Sequence, residues 1–339
     1  MSKPSIVFIQ TAFIGDLFLS LPVVLRLRKK FPEHQLILIC KKGLSEIFLK
    51  ENYFDQAFEV EKGHSKSYSK ILLELKKFNI EYVFCPHRSM RSSLFAFRIK
   101  AKNKIGFKNA FNFLFFNTTV EYKKSWPDVI RQMMIASTVD TELENKIQSS
   151  DWTYLNFIDH TDKFCEIPAV FAFNKQIVTK KNTVAIFPGS VWRTKQWTIS
   201  GFSEVVEALI KDNKTVLLMG GPSEKRICEE ISANNPQAIN YAGQFSLYES
   251  FMKLKTCDLV ICNDSAPAHM AASLGIRVIS IFGPTTLNLG FRPWQNESLV
   301  IENNNLTCRP CGAHGHHQCP EGHHRCMIDL RSDSVIRKI

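Results

Sequence analysis

The sequence predicts an α/β protein built from two doubly wound halves, and three observations carry that prediction. Short continuous apolar runs alternate with helix-period stretches from the first residues, the pattern of parallel strands covered on both faces by crossover helices. The alternation lapses after residue 109 and resumes near residue 183 as a second series. A chain of 339 residues is too long for one ordinary core and fits two domains. Its 45% apolar and 22% charged residues supply core material for both, with no disordered or fibrous bias.

Each element follows from its local pattern. "SIVFIQ" (residues 5–10) reads as a buried strand, and "GDLFLSLPVVLRLRKKF" (15–31) as a helix entered through a glycine turn. "QLILIC" (35–40) is the next strand. A helix over "GLSEIFLKEN", a short strand "QAFEV", an amphipathic helix "SYSKILLELKKF" and a strand "IEYVFCP" complete the first series. "WPDVIRQMMIASTV" (126–139) is helical, and the stretch to "FNKQIVTKKN" has loop character with Pro168 and clustered lysines. The domain boundary is expected between 160 and 180, giving domains 1–170 and 171–325 with a terminal segment 326–339. The second series runs strand "TVAIFPGS", helix "SGFSEVVEALIKDN", strand "TVLLMGG", helix "SEKRICEEISANN", "AINYAG", helix "SLYESFMKLKTC", strand "DLVICND", helix "APAHMAASLG" and strand "VISIFGP". No repeat with a 20–50 residue period interrupts it.

The formal charge is +11, and its distribution is uneven: residues 1–150 hold 24 lysines and arginines against 14 acids, whereas residues 151–339 hold 19 against 18. Within the basic half, "RSMRSSLFAFRIKAKNKIGFK" (88–108) has seven cations and no acid. Such a patch attracts a polyanion, an anionic membrane face or a phosphorylated substrate, or is simply a solvated basic face. A nucleic-acid partner is disfavoured, since no binding motif is present and the patch is poor in regularly interleaved aromatics beyond Phe95 and Phe97. Lys3 and the apolar run after it imitate a signal peptide. However, Asp16 and Pro22 interrupt the run, no small-residue cleavage site follows, and no segment has the ~18 uninterrupted apolar residues of a membrane span. A cytoplasmic protein is expected. Six of the ten cysteines, at 40, 85, 165, 228, 257 and 262, are scattered through apolar segments as core thiols are.

One carboxylate, Asp16, stands in the apolar stretch "TAFIGDLFLSLP". An ionised group among Phe13, Ile14, Leu17, Phe18 and Leu21 is costly unless it is paired, caps the helix or faces a cleft. Ligands of open α/β sheets bind beyond the carboxyl ends of the strands. Four stretches fall at such ends: "IGD", "FPGSVWRTKQW", "GGPSEK" and "NDSAPAH". The last places Asp264 and Ser265 before a helix start, where free N–H groups suit a phosphate, with His269 one turn into the helix. Asn-Asp-Ser is equally a good helix cap. In "PGSVWRTKQW", Ser190 sits at a turn and Arg193 or Lys195 could neutralise a diphosphate. Coming from both halves, the stretches imply a site in a cleft between two lobes.

Taken together, "IGDLFLSLPVVLRLRKKFP", "PGSVWRTKQWTISGFSEVV", "LLMGGPSEK", "CNDSAPAHMAASLGIRVISIFGPT" and "CRPCGAHGHHQCPEGHHRCM" resemble, in order and over almost the whole chain, the ADP-heptose:lipopolysaccharide heptosyltransferases, glycosyltransferase family 9, most of all its second-heptose enzymes. The resemblance implies a GT-B fold, in which two Rossmann-like domains face each other across a cleft, the first holding acceptor and the second nucleotide sugar. It implies inverting transfer from ADP-heptose to the lipopolysaccharide inner core, with no cofactor required. Asp16 would be the general base, its pKa raised by apolar surroundings, and Lys195 would stabilise the departing diphosphate. Ser190, Asp264, Ser265, Ala266 and His269 fall on donor-binding motifs, and Glu224 would reach the ribose. Family members often carry glycine where this chain has Ala266, whose methyl group could narrow a phosphate-binding turn. The implied acceptor is an anionic, lipid A-linked oligosaccharide at the cytoplasmic face of the inner membrane, with Arg88, Arg91, Arg98 and Lys100 as its candidate partners. The terminal segment 326–339 would form a helix crossing back to the first domain. Alternatives are a same-family transferase with another sugar or acceptor, and a non-catalytic binding protein.

Cys308, Cys311, Cys319 and Cys326 are spaced Cys-x2-Cys-x7-Cys-x6-Cys with His314, His316, His317, His323 and His324 interspersed. Four thiolate or imidazole ligands would suit a structural zinc; the other reading is a loop packed by reduced thiols. Disulfides are disfavoured in a reducing cytoplasm.

Overall fold

Strands such as Val-Phe-Ile and Ile-Leu-Ile expose apolar side chains on both faces, and a parallel sheet with helices above and below buries both. A computed structural model, which describes residues 3–109, 114–149, 152, 182–294 and 298–339, divides into two units, Met1–Tyr154 and Leu155–Ile339.

The first unit runs β1 (Pro4–Gln10), α1 (Ile14–Lys30), β2 (Gln35–Lys41), α2 (Ser45–Lys50), β3 (Gln56–Val60), α3 (Ser65–Leu75), β4 (Asn79–Cys85), α4 (Met90–Arg98), β5 (Asn103–Phe107), β6 (Thr118–Val120), α5 (Asp128–Ser137) and α6 (Thr141–Gln148). Its sheet is parallel with order β3-β2-β1-β4-β5-β6. Val7, Ile9, Ile37, Ile39 and Val83 form one face of the core, packed against Ile71 and Leu75 of α3 and Phe95 and Ala96 of α4. The basic stretch 88–108 is therefore a folded helix and strand, α4 and β5.

The second unit runs β7 (Thr183–Phe187), α7 (Ile199–Lys211), β8 (Thr215–Leu218), α8 (Lys225–Asn234), β9 (Ile239–Asn240), α9 (Leu247–Leu254), β10 (Leu259–Asn263), α10 (Ala266–Ser273), β11 (Arg277–Phe282), β12 (Leu299–Glu302), α11 (Arg325–Ile328) and α12 (Asp333–Ile336). Single 3-10 turns at Arg193–Lys195 and Pro222–Glu224 follow β7 and β8. Strand order is β12-β11-β10-β7-β8-β9, again all parallel. The α/β doubly wound class expected from the sequence is thus observed in both units. In each, the first strand lies between the second and the fourth, so the winding reverses at β1/β4 and at β7/β10. These switch points are where such sheets bind ligands.

The expected boundary at residue 170 and Cys165 lie outside the described residues. The terminal segment, expected to form a helix, contains two short helices, α11 and α12. Cys326, Met327, Leu330 and Val335 enter the core of the second unit, and Arg277 donates to the carbonyls of Ile339 at 3.1 Å and Lys338. Among the described residues, no helix is long and apolar enough to cross a membrane.

Candidate active site

In the first unit, the turn after β1 brings Asp16 to the third position of α1, where the Phe13 N–H donates to its Oδ2 at 3.0 Å. Asp16 does cap the helix, reaching back from inside rather than from the preceding residue. Its carboxylate is half-buried. Burial raises its pKa from 3.8 to about 6, with the Asp128 charge adding to the rise and the Phe13 N–H and Lys62 opposing it. Asp128 opens α5 and accepts from Gln132 Nε2 at 2.6 Å. Gln132 Oε1 lies 2.5 Å from the Ser20 hydroxyl, itself 2.7 Å from the Asp16 carbonyl. A continuous polar chain therefore joins Asp128 to the turn of α1 that carries Asp16. Arg131 braces it, 3.5 Å from Asp128 and hydrogen-bonded to Tyr122.

Beside Thr11, at the same switch point, the Nδ1 atom of His87 meets Thr11 Oγ1 at 2.9 Å, Ser92 Oγ at 2.8 Å and Ser89 Oγ at 3.3 Å. Burial, helped by Lys62, lowers the His87 pKa to about 4, so the ring is neutral at physiological pH. The sequence reading missed His87, Asp128, Gln132 and Ser20. The only signal for His87 was its place just beyond the end of a strand.

The four basic candidates are all exposed. Arg91 and Arg98, seven residues apart on α4, line a cavity of about 310 Å³ together with His64, Ser65, Tyr68 and Leu94. The Arg88 guanidinium instead lies 3.8 Å over the Tyr122 ring, and Lys100 is exposed beyond the end of α4. Lys62 feels the charges of Arg91 and Lys41, and with burial these lower its pKa.

In the second unit, Lys195 ends the 3-10 turn after β7 and Asp264 follows β10. Lys195 Nζ and Asp264 Oδ2 are 2.6 Å apart, with the side chains 13% and 6% exposed. The same Oδ2 accepts from Thr285 Oγ1 at 2.5 Å. The turn is held by Asn263, whose Oδ1 accepts from the Trp197 N–H at 3.0 Å and whose Nδ2 donates to the Pro188 carbonyl at 2.8 Å. His269, in α10, is buried beside this pair; burial lowers its pKa to about 4, and its Nδ1 has no hydrogen-bond partner among the described residues. Ser265 is the N-cap residue of α10 in extended conformation. Ala266 is the first helical residue and does not have a positive φ, so the backbone there does not require glycine.

Ser190 is half-buried, and its carbonyl accepts from Gln196 Nε2 at 2.8 Å. Glu224 Oε2 accepts from the Gly221 N–H at 2.8 Å. Its side chain crosses closely over two glycines: a Cβ on Gly189 would lie 2.1 Å from Glu224 Cγ, and one on Gly220 would lie 2.6 Å from Glu224 Cβ. Glycine at both positions is what lets Glu224 reach across from the β8 loop to the β7 loop. The structure thus gathers Lys195, Asp264 and His269, and links Ser190 to Glu224 through Gly189.

Of the two readings of Cys308, Cys311, Cys319 and Cys326, a structural zinc and a loop packed by reduced thiols, the zinc is not supported: among the described residues, no group of three or more His, Cys, Asp or Glu is placed to hold a metal ion. Cys311 Sγ lies 3.1 Å from the Cys308 carbonyl, Cys319 Sγ accepts from the His324 N–H at 3.4 Å, and Cys326 is buried in the core. Burial holds the Cys326 thiol up at about 11 and raises that of Cys311. All nine described cysteines are free, and Cys40, Cys85, Cys228, Cys257 and Cys262 are buried as expected.

The model of glycosyltransferase family 9 (heptosyltransferase) matches residues 69–323. The chain belongs to this family. It is 29% identical over 199 residues to lipooligosaccharide heptosyltransferase 2 of Campylobacter jejuni, a match covering 55% of this chain and 62% of that relative. It is 21% identical over 352 residues to lipooligosaccharide heptosyltransferase 2 of Haemophilus influenzae, covering 99% and 98% of the two chains. Its fold is shared with E. coli ADP-heptose lipopolysaccharide heptosyltransferase II, at a TM-score of 0.74 and 18% identity over 98% of this chain and 97% of that one. A family 9 glycosyltransferase from Veillonella parvula superposes with a TM-score of 0.77 at 18% identity, covering 100% and 96%.

Proposed function

We propose that the chain is an inverting glycosyltransferase that moves a heptose from ADP-heptose to the inner core of lipopolysaccharide. The observation that carries this reading is the buried Lys195–Asp264 pair at the β7/β10 switch point, in a chain of family 9. A largely buried ammonium paired with Asp264 just before the N-terminus of α10 suits a diphosphate leaving group. Relatives whose names specify heptose transfer to lipooligosaccharide or lipopolysaccharide support the substrate class.

In this reading the acceptor hydroxyl attacks the anomeric carbon, Asp16 takes the hydroxyl proton, the bond to the β-phosphate oxygen breaks, and ADP departs with the bonding electrons. With a pKa of about 6, Asp16 is ~90% ionised at pH 7, yet more basic than an ordinary aspartate. Lys195 offsets the charge growing on ADP, while Ser190, Ser265, Ala266 and His269 line the nucleotide site and Glu224 faces the ribose. Arg91 and Arg98 bind acidic groups of the acceptor. Around them α4 exposes Met90, Leu94 and Phe97, a mixed basic and apolar surface suited to an anionic membrane face, here the cytoplasmic side of the inner membrane.

The test is ADP release by wild type and Asp16→Asn protein given ADP-heptose with Kdo-lipid A or its singly heptosylated form. Acceptor-dependent release by wild type, with the variant silent but still binding ADP, is expected. No release with either acceptor by folded wild-type protein overturns the reading.

A further inference from the structure

The loop 308–326, with its four cysteines and five histidines, has no part in the chemistry proposed above, yet it is stitched to the residues that hold Lys195. Thr194, 4% exposed, is gripped on three sides. Its N–H and hydroxyl lie 3.1 and 2.8 Å from the His316 carbonyl, the His316 N–H reaches its hydroxyl at 2.7 Å, and His324 Nε2 meets its carbonyl at 2.8 Å. Gly315, at φ +77°, passes so close that a Cβ there would lie 3.3 Å from Lys195 Cγ and 3.1 Å from Thr194 Oγ1. Only a residue without a side chain, at ease with positive φ, lets the loop run this near.

The same loop reaches the other half of the ion pair. Arg309, its side chain 2% exposed, donates to the Thr285 carbonyl at 2.8 Å and pairs with Glu302 at 2.6 Å. Thr285 in turn donates to Asp264. Both members of the Lys195–Asp264 pair are therefore reached through one intervening residue, Thr194 on one side and Thr285 on the other.

We infer that the 308–326 loop is the positioning frame of Lys195, with Thr194, His316 and His324 as positioning residues. A three-residue 3-10 turn has little stability of its own, and a lysine has many rotamers to lose. The loop fixes the turn by binding every polar backbone and side-chain group of Thr194, and Gly315 bounds the space open to the Lys195 stem. The inference rests on the reading of Lys195 as the group that meets the leaving diphosphate, but the clamp itself can be tested without it.

The experiment compares full-length wild type, Thr194→Val and Thr194→Ser by three readouts. These are acylation of Lys195 by N-hydroxysuccinimidyl acetate, followed by peptide mass spectrometry with Lys211 as the internal reference, kcat and KM for ADP-heptose, and thermal unfolding. Valine keeps the shape and removes the hydroxyl; serine restores the hydroxyl. Thr194→Val is expected to acylate Lys195 several-fold faster than wild type, and to lower kcat by up to about 100-fold, as a displacement near 1 Å does, with a smaller change in KM. Thr194→Ser is expected to stay within about 2-fold of wild type in both. If Thr194→Val does not fold, His324→Asn makes the same comparison, because asparagine tolerates the positive φ of 47° but is too short to hold the Thr194 carbonyl. Unchanged Lys195 acylation in the folded variant overturns the clamp. Absence of turnover in wild type overturns the transferase reading instead, and leaves the acylation contrast to decide the clamp.

Discussion

Replacing Asp16 with asparagine is expected to stabilise the protein while abolishing transfer. Asp16 ionises at about 6 in the fold against 3.8 for the ordinary side chain. At ~1.4 kcal/mol per unit, the ionised carboxylate costs the fold up to ~3 kcal/mol. Solvent reaching the half-buried group lowers this to about 1–3 kcal/mol. Asparagine keeps an oxygen for the Phe13 N–H and carries no charge to desolvate. The sign follows from proton binding. Between 3.8 and about 6 the folded state holds the Asp16 proton and the unfolded state does not, so wild type loses stability as pH rises through that window. Below 3.8 both states are protonated and the cost is absent; above 6 it is complete. Denaturant unfolding of both proteins from pH 4 to pH 8 measures it. The variant is expected to be more stable by about 1–3 kcal/mol above pH 7, with the gap closing toward pH 4. A gap of that sign that ignores pH, or a variant less stable than wild type at neutral pH, refutes the reasoning. The rate of transfer, on the same argument, should fall on the acid side with a midpoint near 6.

Three further outcomes are expected. Lys195→Met leaves the buried Asp264 charge with Thr285 as its remaining side-chain donor and should destabilise the protein by ~3–5 kcal/mol in denaturant unfolding, most of it recovered when Asp264→Asn is added. Gly189→Ala forces a methyl group into Glu224 and should cost ~1–3 kcal/mol; in a Glu224→Ala background the same change should be nearly neutral, a coupling that a double-mutant cycle by thermal unfolding reads directly. Arg91→Glu combined with Arg98→Glu should reduce cosedimentation with anionic phospholipid vesicles and raise the acceptor KM, without moving the unfolding midpoint, because both side chains are exposed.

The strands were legible because buried parallel strands are continuous apolar runs, and β1, β2, β4, β7, β8, β10 and β11 all lie where those runs are. α4 was not, because the face it buries includes Ser92, Ser93 and Ala96 beside Phe95, so no apolar stripe announces it. β5 carries Asn103, Lys104 and Gly106 and reads as loop. Asp16 stood out in the sequence because it is the one carboxylate in an apolar stretch. Gln132 and His87 did not, because their partners Ser20 and Thr11 are brought to them by tertiary folding across a sequence separation of 76 residues or more. Thr194 was hidden for the same reason: its partners lie more than 120 residues away. For Cys308, Cys311, Cys319 and Cys326 spacing left two readings open, since it fixes which residues can be neighbours but not the geometry they adopt.

The shared winding order of the two sheets has a consequence for how such chains can diversify. Every described strand pairing is internal to one sheet or the other, and each sheet carries its own switch point. A recombination joint placed between residues 153 and 181 would break none of the described ladders. Halves from different members of the family could then be exchanged as whole cassettes, each bringing its own complete sheet and switch point.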